Sequence, residues 1–400
     1  MHLAPRAKSL SASATLELNA RVAELRAAGV DVISLGAGEP DFPTPPEAIA
    51  AATAFIAKGM VHYTHPNGLP ELRAAAAESL SRSTGVGWTA EQIVVTCGAK
   101  EGVALALLAL AGAGDEVLVP TPSWISYEPM VAIADARVVR LPCDEASQWK
   151  LQPETLAAAL TPRSRALVLN TPNNPTGSVY TQAELAALGR VLEGRDVTVI
   201  SDEIYSPFVY EGRHVSPAAI PGLAGRTVVV NGVSKSHAMT GWRIGFLTGP
   251  PPVVEAVGKL KGHITSNASA PGQHAALAAL RAGDGWSRTM AEAFARRRKA
   301  ALEALRRLPG VSVQAPAGAF YVFPRVDALY GGAVRGSHDF CRRLLDEARV
   351  AVVAGADFGE DRCVRLSIAT ADDRLAEALA RIERCVASLP AALTTSPTRR

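Results

Sequence analysis

Cysteine is scarce in this chain: five among 400 residues, at Cys97, Cys143, Cys341, Cys363 and Cys385. The number is odd, no two form a C-x-x-C pair and none clusters with histidine. A disulfide framework and a thiolate metal site are therefore excluded, and a reducing cytoplasm is expected. Charge of one sign is also lacking. Lys and Arg total 41 against 38 Asp and Glu, a formal charge of +3, and the arginines are scattered, which leaves no stripe for nucleic acid or a membrane. Nor is there a long apolar run. Pro5, Arg6 and Lys8 interrupt the N-terminus before an export-signal core can form, and Val103 to Leu110 is too short to span a bilayer. The expected partners are small molecules, with no metal.

What the chain does have is apolar mass. At 48% hydrophobic, with a mean hydropathy of +0.12, it can bury a large core and fill two domains, or one large and one small. Leu16 to Ala28 has helical spacing that Gly29 is placed to end, and "DVISLGAGEPDFPTPPEAI" reads as a short strand, a Gly/Pro-rich turn and a new helix start. From Ile93 onward short apolar runs follow one another: "IVVT", "EVLVP", "ALVLN", "VTVIS", "TVVVN" and "IGFLTG". Helical stretches such as Glu101 to Ala111 and Ala183 to Leu192 separate some of them. Continuously apolar strands with helical crossovers predict an α/β fold, its sheet mostly parallel and covered on both faces. After about Gly285 a long Arg/Ala/Glu-rich helix from Ser287 to Leu308 precedes strand-like "GAFYVF" and "CVRLSIA", the texture of a smaller α+β domain.

Ligands of open α/β sheets gather at the carboxyl ends of the strands. After "IVVT", Gly98-Ala99-Lys100 opens a helix whose N–H groups suit a phosphate, though an ordinary strand-to-helix turn would look the same. After "ALVLN", Asn174 precedes a proline in "TPNNPTG", a turn that can fix its amide. After "VTVIS" come Asp202, Glu203 and Tyr205; a buried Asp202 needs a positive or donor partner, unless it merely caps the next element. After "TVVVN" comes "GVSKSHAMTGWRIG". A desolvated Lys235 beside Ser234 could form an imine with an aldehyde, and Arg243 could grip a phosphate through two hydrogen bonds. A surface salt-bridge lysine is the plainer reading of Lys235 alone, but it leaves the clustering of Lys, Arg, Asp, Asn and a Gly-rich turn at strand exits unaccounted for.

Together "SKSHAMTGWRIG", "NTPNNPTG", "SDEIY", "GAGEPDF" and "VRLSIAT" resemble the class I aminotransferases, nearest to the bacterial aspartate aminotransferase subgroup, from about Leu10 to about Leu389. The resemblance implies the fold-type I architecture of enzymes that use pyridoxal 5'-phosphate (PLP). It places a large domain over 47–286, a small domain over 15–46 and 287–390, an N-terminal arm over 1–14, and a disordered tail over 391–400. It also implies roles. Lys235 would hold PLP covalently and move the substrate proton, and Asp202 would partner the pyridine nitrogen. Tyr205 and Asn174 would hydrogen-bond the ring oxygen, and Trp124 in "PSWISY" would stack on the ring. Arg243, Ser234, the Gly98-Ala99-Lys100 turn and, from a neighbouring subunit, Tyr63 and Ser266 would hold the phosphate, which makes the expected assembly a homodimer with shared sites. Arg365, helped by the backbone of Gly38, would bind the substrate carboxylate, with Trp124 and Asn174 also facing the substrate.

Two positions depart from the family. Where animal-type relatives place an arginine for a second carboxylate, four residues before Ser266-Asn267, this chain has Gly262 between Lys261 and His263. Three residues before Lys235, where some relatives carry a phosphate-binding serine, it has Gly232.

Four readings follow. The first is a ping-pong aminotransferase taking aspartate or a related amino acid, with 2-oxoglutarate as acceptor. The second is a PLP lyase or decarboxylase, which would share the cofactor residues. A PLP-fold transcription regulator would need a DNA-binding domain, for which the roughly 30 residues before "VISLGAGEP" are too few. A dinucleotide dehydrogenase fails because "GAGEPDF" is not G-x-G-x-x-G.

Overall fold

The computed structural model describes residues 2–4, 7–8, 10 and 14–389. The tail expected over 391–400 and much of the arm expected over 1–14 lie outside these residues. The described chain divides into two compact units. One comprises Glu39–Ala293 with Ala317–Ala319; the other comprises the stretch ending at Gly38, Phe294–Pro316 and the chain from Phe320 onward.

The first unit is built on seven strands: β1 (Val94–Thr96), β2 (Glu116–Thr121), β3 (Arg137–Pro142), β4 (Ser164–Asn170), β5 (Thr198–Asp202), β6 (Thr227–Gly232) and β7 (Gly245–Thr248), in the order β1-β7-β6-β5-β4-β2-β3. The pairs β2–β3, β2–β4, β4–β5 and β5–β6 are parallel, whereas β7 runs antiparallel to both β6 and β1. This is the mostly parallel sheet that the apolar runs predict. Its central strands are buried along their length because helices cover both faces, so Val, Ile and Leu occupy successive positions instead of alternating ones. One helical layer meets the sheet through Val103, Ala106, Val131 and Val257; the other meets it through Leu156, Leu185 and Leu188 near the β4–β5 side. Strand β3, an edge strand, is absent from the sequence reading: half of its residues are exposed, Arg137 and Arg140 among them.

Because β7 runs backwards, its first residues lie at the same sheet edge as the last residues of the parallel strands. Three short helices start at that edge: α1 (Ala99–Leu110), α2 (Tyr127–Ile133) and, carrying the candidate lysine, α3 (Val233–Ser236).

In the second unit, β8 (Tyr321–Val322), β9 (Val353–Ala354) and β10 (Val364–Ser367) form an antiparallel sheet of order β9-β10-β8, and Ile33–Ser34 pairs in parallel with Val350–Ala351. The long helix expected over Ser287–Leu308 spans Gly285–Leu305, and a C-terminal helix spans Asp372–Ala387.

Candidate active site

The last residue of β5, Asp202, is buried at the carboxyl edge of the sheet. Its Oδ2 accepts a 2.7 Å hydrogen bond from the Tyr127 hydroxyl, and its Oδ1 accepts the Ile204 N–H at 3.3 Å. Burial still dominates: it pushes the Asp202 carboxyl up to about 6, against the pull of Tyr127, Ile204 and the nearby Lys235 ammonium. Glu203, one residue on, has a separate set of partners. It accepts the hydroxyls of Ser201 and Ser216, and its Oε2 lies 2.8 Å from His214 Nε2. Of the two adjacent acids, then, Glu203 is committed to a buried network of its own.

Asn170, at the end of β4, ties the neighbouring loop to Asp202. Its side-chain N–H donates to the Asp202 carbonyl at 2.9 Å, and its Oδ1 accepts the Asn174 N–H at 2.7 Å. Asn174 and Pro175 are joined by a cis peptide, and the Asn174 amide reaches the Tyr205 hydroxyl at 3.5 Å. Asn174, Tyr205 and Asp202 are thus brought together by the ends of two adjacent strands. Trp124, half-buried after β2, meets Tyr127 edge-on, with ring centroids 5.3 Å apart and planes at 86°.

Two cationic side chains lie where α1 begins, those of Arg243 and Lys100. Arg243 directs Nη2 to the Cys97 carbonyl at 3.3 Å and Nη1 to the Thr240 carbonyl at 3.1 Å. A Cβ on Gly98, which has φ +79°, would fall 2.7 Å from Arg243 Nη2, so glycine is what allows the guanidinium over this turn. Lys100 Nζ lies 4.9 Å from the centroid of the Trp124 ring, and its amine is held below its usual range first by partial burial and then by the charge of Arg243. Two like charges at a helix N-terminus make a place for an anion. Ser234 is buried and Lys235 half-buried on α3, which the buried Gly232 introduces. A Cβ at Gly232 would approach Gly245 Cα and the Ile244 carbonyl to 2.8 Å, which explains why this position carries no serine.

Lys261 is fully buried and paired with Glu101 at 3.2 Å and the Thr265 hydroxyl at 3.1 Å, whereas Gly262 is exposed. Tyr63 is 90% exposed, and Ser266, with φ +59°, is also exposed. Within this chain the structure does not bring these two residues to the cluster around Asp202.

Arg365 and Gly38 belong to the second unit. The Arg365 guanidinium is sandwiched between the Tyr321 and Phe358 rings, 4.6 and 4.9 Å from their centroids, and donates to the Gly36 carbonyl at 2.6 Å. A Cβ at Gly38 would fall 2.5 Å from the Tyr321 hydroxyl.

Tyr127, Asn170, Tyr321 and Phe358 had escaped the sequence reading. Tyr127 meets Asp202 from 75 residues away, a contact that no local pattern announces. Asn170 ends the apolar run of β4 and bonds the nearby Asn174, whereas Tyr321 and Phe358 reach Arg365 from separate segments of the chain.

Known proteins resemble the whole chain. It is 42% identical over 387 residues to the aspartate aminotransferase of Geobacillus stearothermophilus, covering 96% of this chain and 98% of that protein. It is 43% identical over 386 residues to the aspartate/prephenate aminotransferase of Cereibacter sphaeroides, covering 94% and 96%. A solved structure of the aspartate aminotransferase of Thermus thermophilus with maleate superposes with a TM-score of 0.91 at 40% identity, covering 96% of this chain and all of that one. The family described as aminotransferase class I and II matches residues 30–382, and the chain is a member of it.

Proposed function

We propose that this aminotransferase uses pyridoxal 5'-phosphate bound at Lys235 and moves an amino group from aspartate, or a related amino acid, to a 2-oxo acid such as 2-oxoglutarate. The observation that carries this reading is the juxtaposition of a buried carboxylate, a neighbouring lysine and a glycine-bounded cationic turn along one sheet edge. The donor set fits the cofactor. Arg243, Ser234 and the Gly98-Ala99-Lys100 turn would take its phosphate, Asp202 its pyridine nitrogen, Asn174 and Tyr205 its ring oxygen, and Trp124 its face. When bound, the cofactor supplies an electron sink for the substrate carbon.

The chain's own residues do the rest. Lys235, released from its covalent role, carries a proton to and from the substrate carbon as general base and acid. Asp202 would face the cofactor's ring nitrogen, and a positive charge there would offset the burial that otherwise favours its protonated form. Tyr205, in hydrogen-bond contact with Asn174, would orient the cofactor's ring oxygen. Arg365, stacked between two aromatic rings, presents its fork to the substrate α-carboxylate, with the Gly38 backbone beside it.

The second carboxylate of aspartate needs another cation. Lys261 is committed to Glu101 and Gly262 has no side chain, so we assign this role to Lys100 beside Trp124, with a residue of the first helix as the alternative. The Thermus relative carries maleate, a dicarboxylate, in agreement with a substrate of this class. We also propose a homodimer in which the partner subunit supplies Tyr63 and Ser266 to each phosphate. We place the enzyme in the cytoplasm, a setting that suits its five free thiols. Among the described residues no helix is long and apolar enough to cross a membrane.

The test is a pair of half-reactions. Aspartate should bleach the visible absorbance of the holoenzyme and 2-oxoglutarate should restore it, while Lys235→Ala should lose both the absorbance and at least ~10³-fold of turnover. Turnover unchanged in Lys235→Ala would rule the proposal out. Release of ammonia or carbon dioxide with no amino acid regenerated would point to the lyase chemistry instead, which nothing in the fold or its relatives favours.

A further inference from the structure

The hydroxyl of Tyr127 has no part in the chemistry described so far, yet it makes the shortest contact to Asp202. The phenol is buried and donates a 2.7 Å hydrogen bond to Asp202 Oδ2. Its ring is held by α2, which starts at Tyr127 itself, and by the edge of Trp124. Asp202 is therefore gripped from three sides: its Oδ2 by Tyr127, its Oδ1 by the Ile204 N–H, and its carbonyl by Asn170. Only the Tyr127 contact comes from a side chain that could be removed without disturbing the strand.

Building on the proposed pairing of Asp202 with the cofactor nitrogen, we propose that Tyr127 is a positioning residue that keeps the shared proton on the ring nitrogen instead of on the Asp202 carboxylate. A carboxylate that accepts a phenol hydrogen bond is a weaker base, so in competition with a pyridine for one proton it yields that proton to the pyridine. The competition is close here. Burial pushes the Asp202 carboxyl up to about 6, and the charge of neighbouring Glu203 adds to the rise, while Tyr127 is the largest influence in the opposite direction, ahead of the Ile204 N–H and the Lys235 ammonium. Tyr127 stays a donor throughout, because burial and the adjacent carboxylate hold its own phenol well above the usual range. Tyr127 also fixes the carboxylate's direction: it shares a short segment with Trp124, so the group meant for the ring face and the group meant for the ring nitrogen are set by one helix start.

The experiment reads the proton directly, through the nuclear magnetic resonance shift of an isotope-labelled ring nitrogen in PLP bound to the full-length protein. The wild-type shift should be that of a pyridinium, and Asp202→Asn should move it to that of a free pyridine. Tyr127→Phe should move it part of the way, with kcat lowered roughly ten- to hundredfold and KM for aspartate little changed. A fluorinated tyrosine at position 127, equal in shape and a stronger donor, should restore or exceed the wild-type shift, and it serves as the readout if Tyr127→Phe folds poorly. If Asp202→Asn moves the shift while neither change at 127 does, the role given to Tyr127 is wrong and the pairing stands. If Asp202→Asn leaves the shift in place, the pairing itself fails and the role of Tyr127 fails with it.

Discussion

Burial sets the Asp202 carboxyl against its own charge, and the cost can be measured by its titration. Its carboxyl titrates near 3.8 in an open chain and about 6 in the fold, chiefly because burial strips water from the anion. A folded value above the unfolded one means that the group favours folding most fully below the unfolded value, and that this contribution is lost as pH rises through the folded one. Between pH 4 and pH 6 the cofactor-free protein should therefore lose stability to this one side chain, up to ~3 kcal/mol at 1.36 kcal/mol per unit. Asp202→Asn removes the titration. Urea unfolding of the cofactor-free variant should show it more stable than the parent at pH 7.5, with the gap closing near pH 4; a gap that does not change with pH would assign the difference to packing instead. Glu116 has the opposite sign. Arg137, Arg163 and Thr161 bond its buried carboxylate and hold it down to about 2, so this acid stabilises the fold above its ordinary range and loses that effect only in strong acid.

At the scale of elements, the proposed phosphate site depends on how closely β7 can approach the turn after β1. A Cβ at Gly245, the first residue of β7, would fall 2.4 Å from both the Ala99 nitrogen and the Gly98 carbonyl carbon, and those are backbone atoms that cannot swing away. Gly245→Ala should push the Gly98-Ala99-Lys100 turn out of place and weaken PLP binding by at least about tenfold, on the energy of one lost charge-assisted hydrogen bond. Binding of pyridoxal, which lacks the phosphate, should change much less, and equilibrium dialysis of both compounds separates the two effects. Gly112→Ala, where a Cβ would meet nothing within 4 Å, is the control. The same strands show where sequence reading succeeds. "ALVLN" and "VTVIS" are recognisable because a strand covered on both faces must be apolar throughout, and Asp202 stands out as the polar residue that ends such a run. Strand β3 is hidden because an edge strand need not be apolar. The reversed direction of β7 is hidden as well, since an apolar run reads alike in either direction. Contacts across the fold leave no local trace: Tyr127 and Asp202 are 75 residues apart, and the aromatic sandwich around Arg365 joins side chains from separate segments.

At the scale of the whole molecule, the residue that matters is Tyr63. It is 90% exposed on its own chain, and Ile56, Met60 and Val61 just before it are exposed as well, an arrangement that burdens a lone subunit with apolar surface. In the proposed homodimer this segment crosses to the partner and delivers Tyr63 to the partner's phosphate, so each active site is a product of two chains. Shared sites make a distinctive prediction. Lys235→Ala removes the covalent anchor from the site built on its own chain. Tyr63→Phe removes a phosphate donor from the site built on the other chain, and at limiting PLP it should lower activity roughly tenfold for the loss of one hydrogen bond to a charged group. When the two variants are unfolded together and refolded, the mixed dimers contain one site with both defects and one with neither. Statistical reassortment puts about half of all dimers in the mixed form, each with one wild-type site, so activity should rise to about a quarter of the wild-type level. If each site were instead built from a single chain, every site in the mixture would carry one of the two defects, and activity could not exceed the average of the two variants measured apart. Recovery above that average at limiting PLP is therefore the signature of a site completed by its neighbour, and its absence would return Tyr63 to the role of an ordinary surface residue.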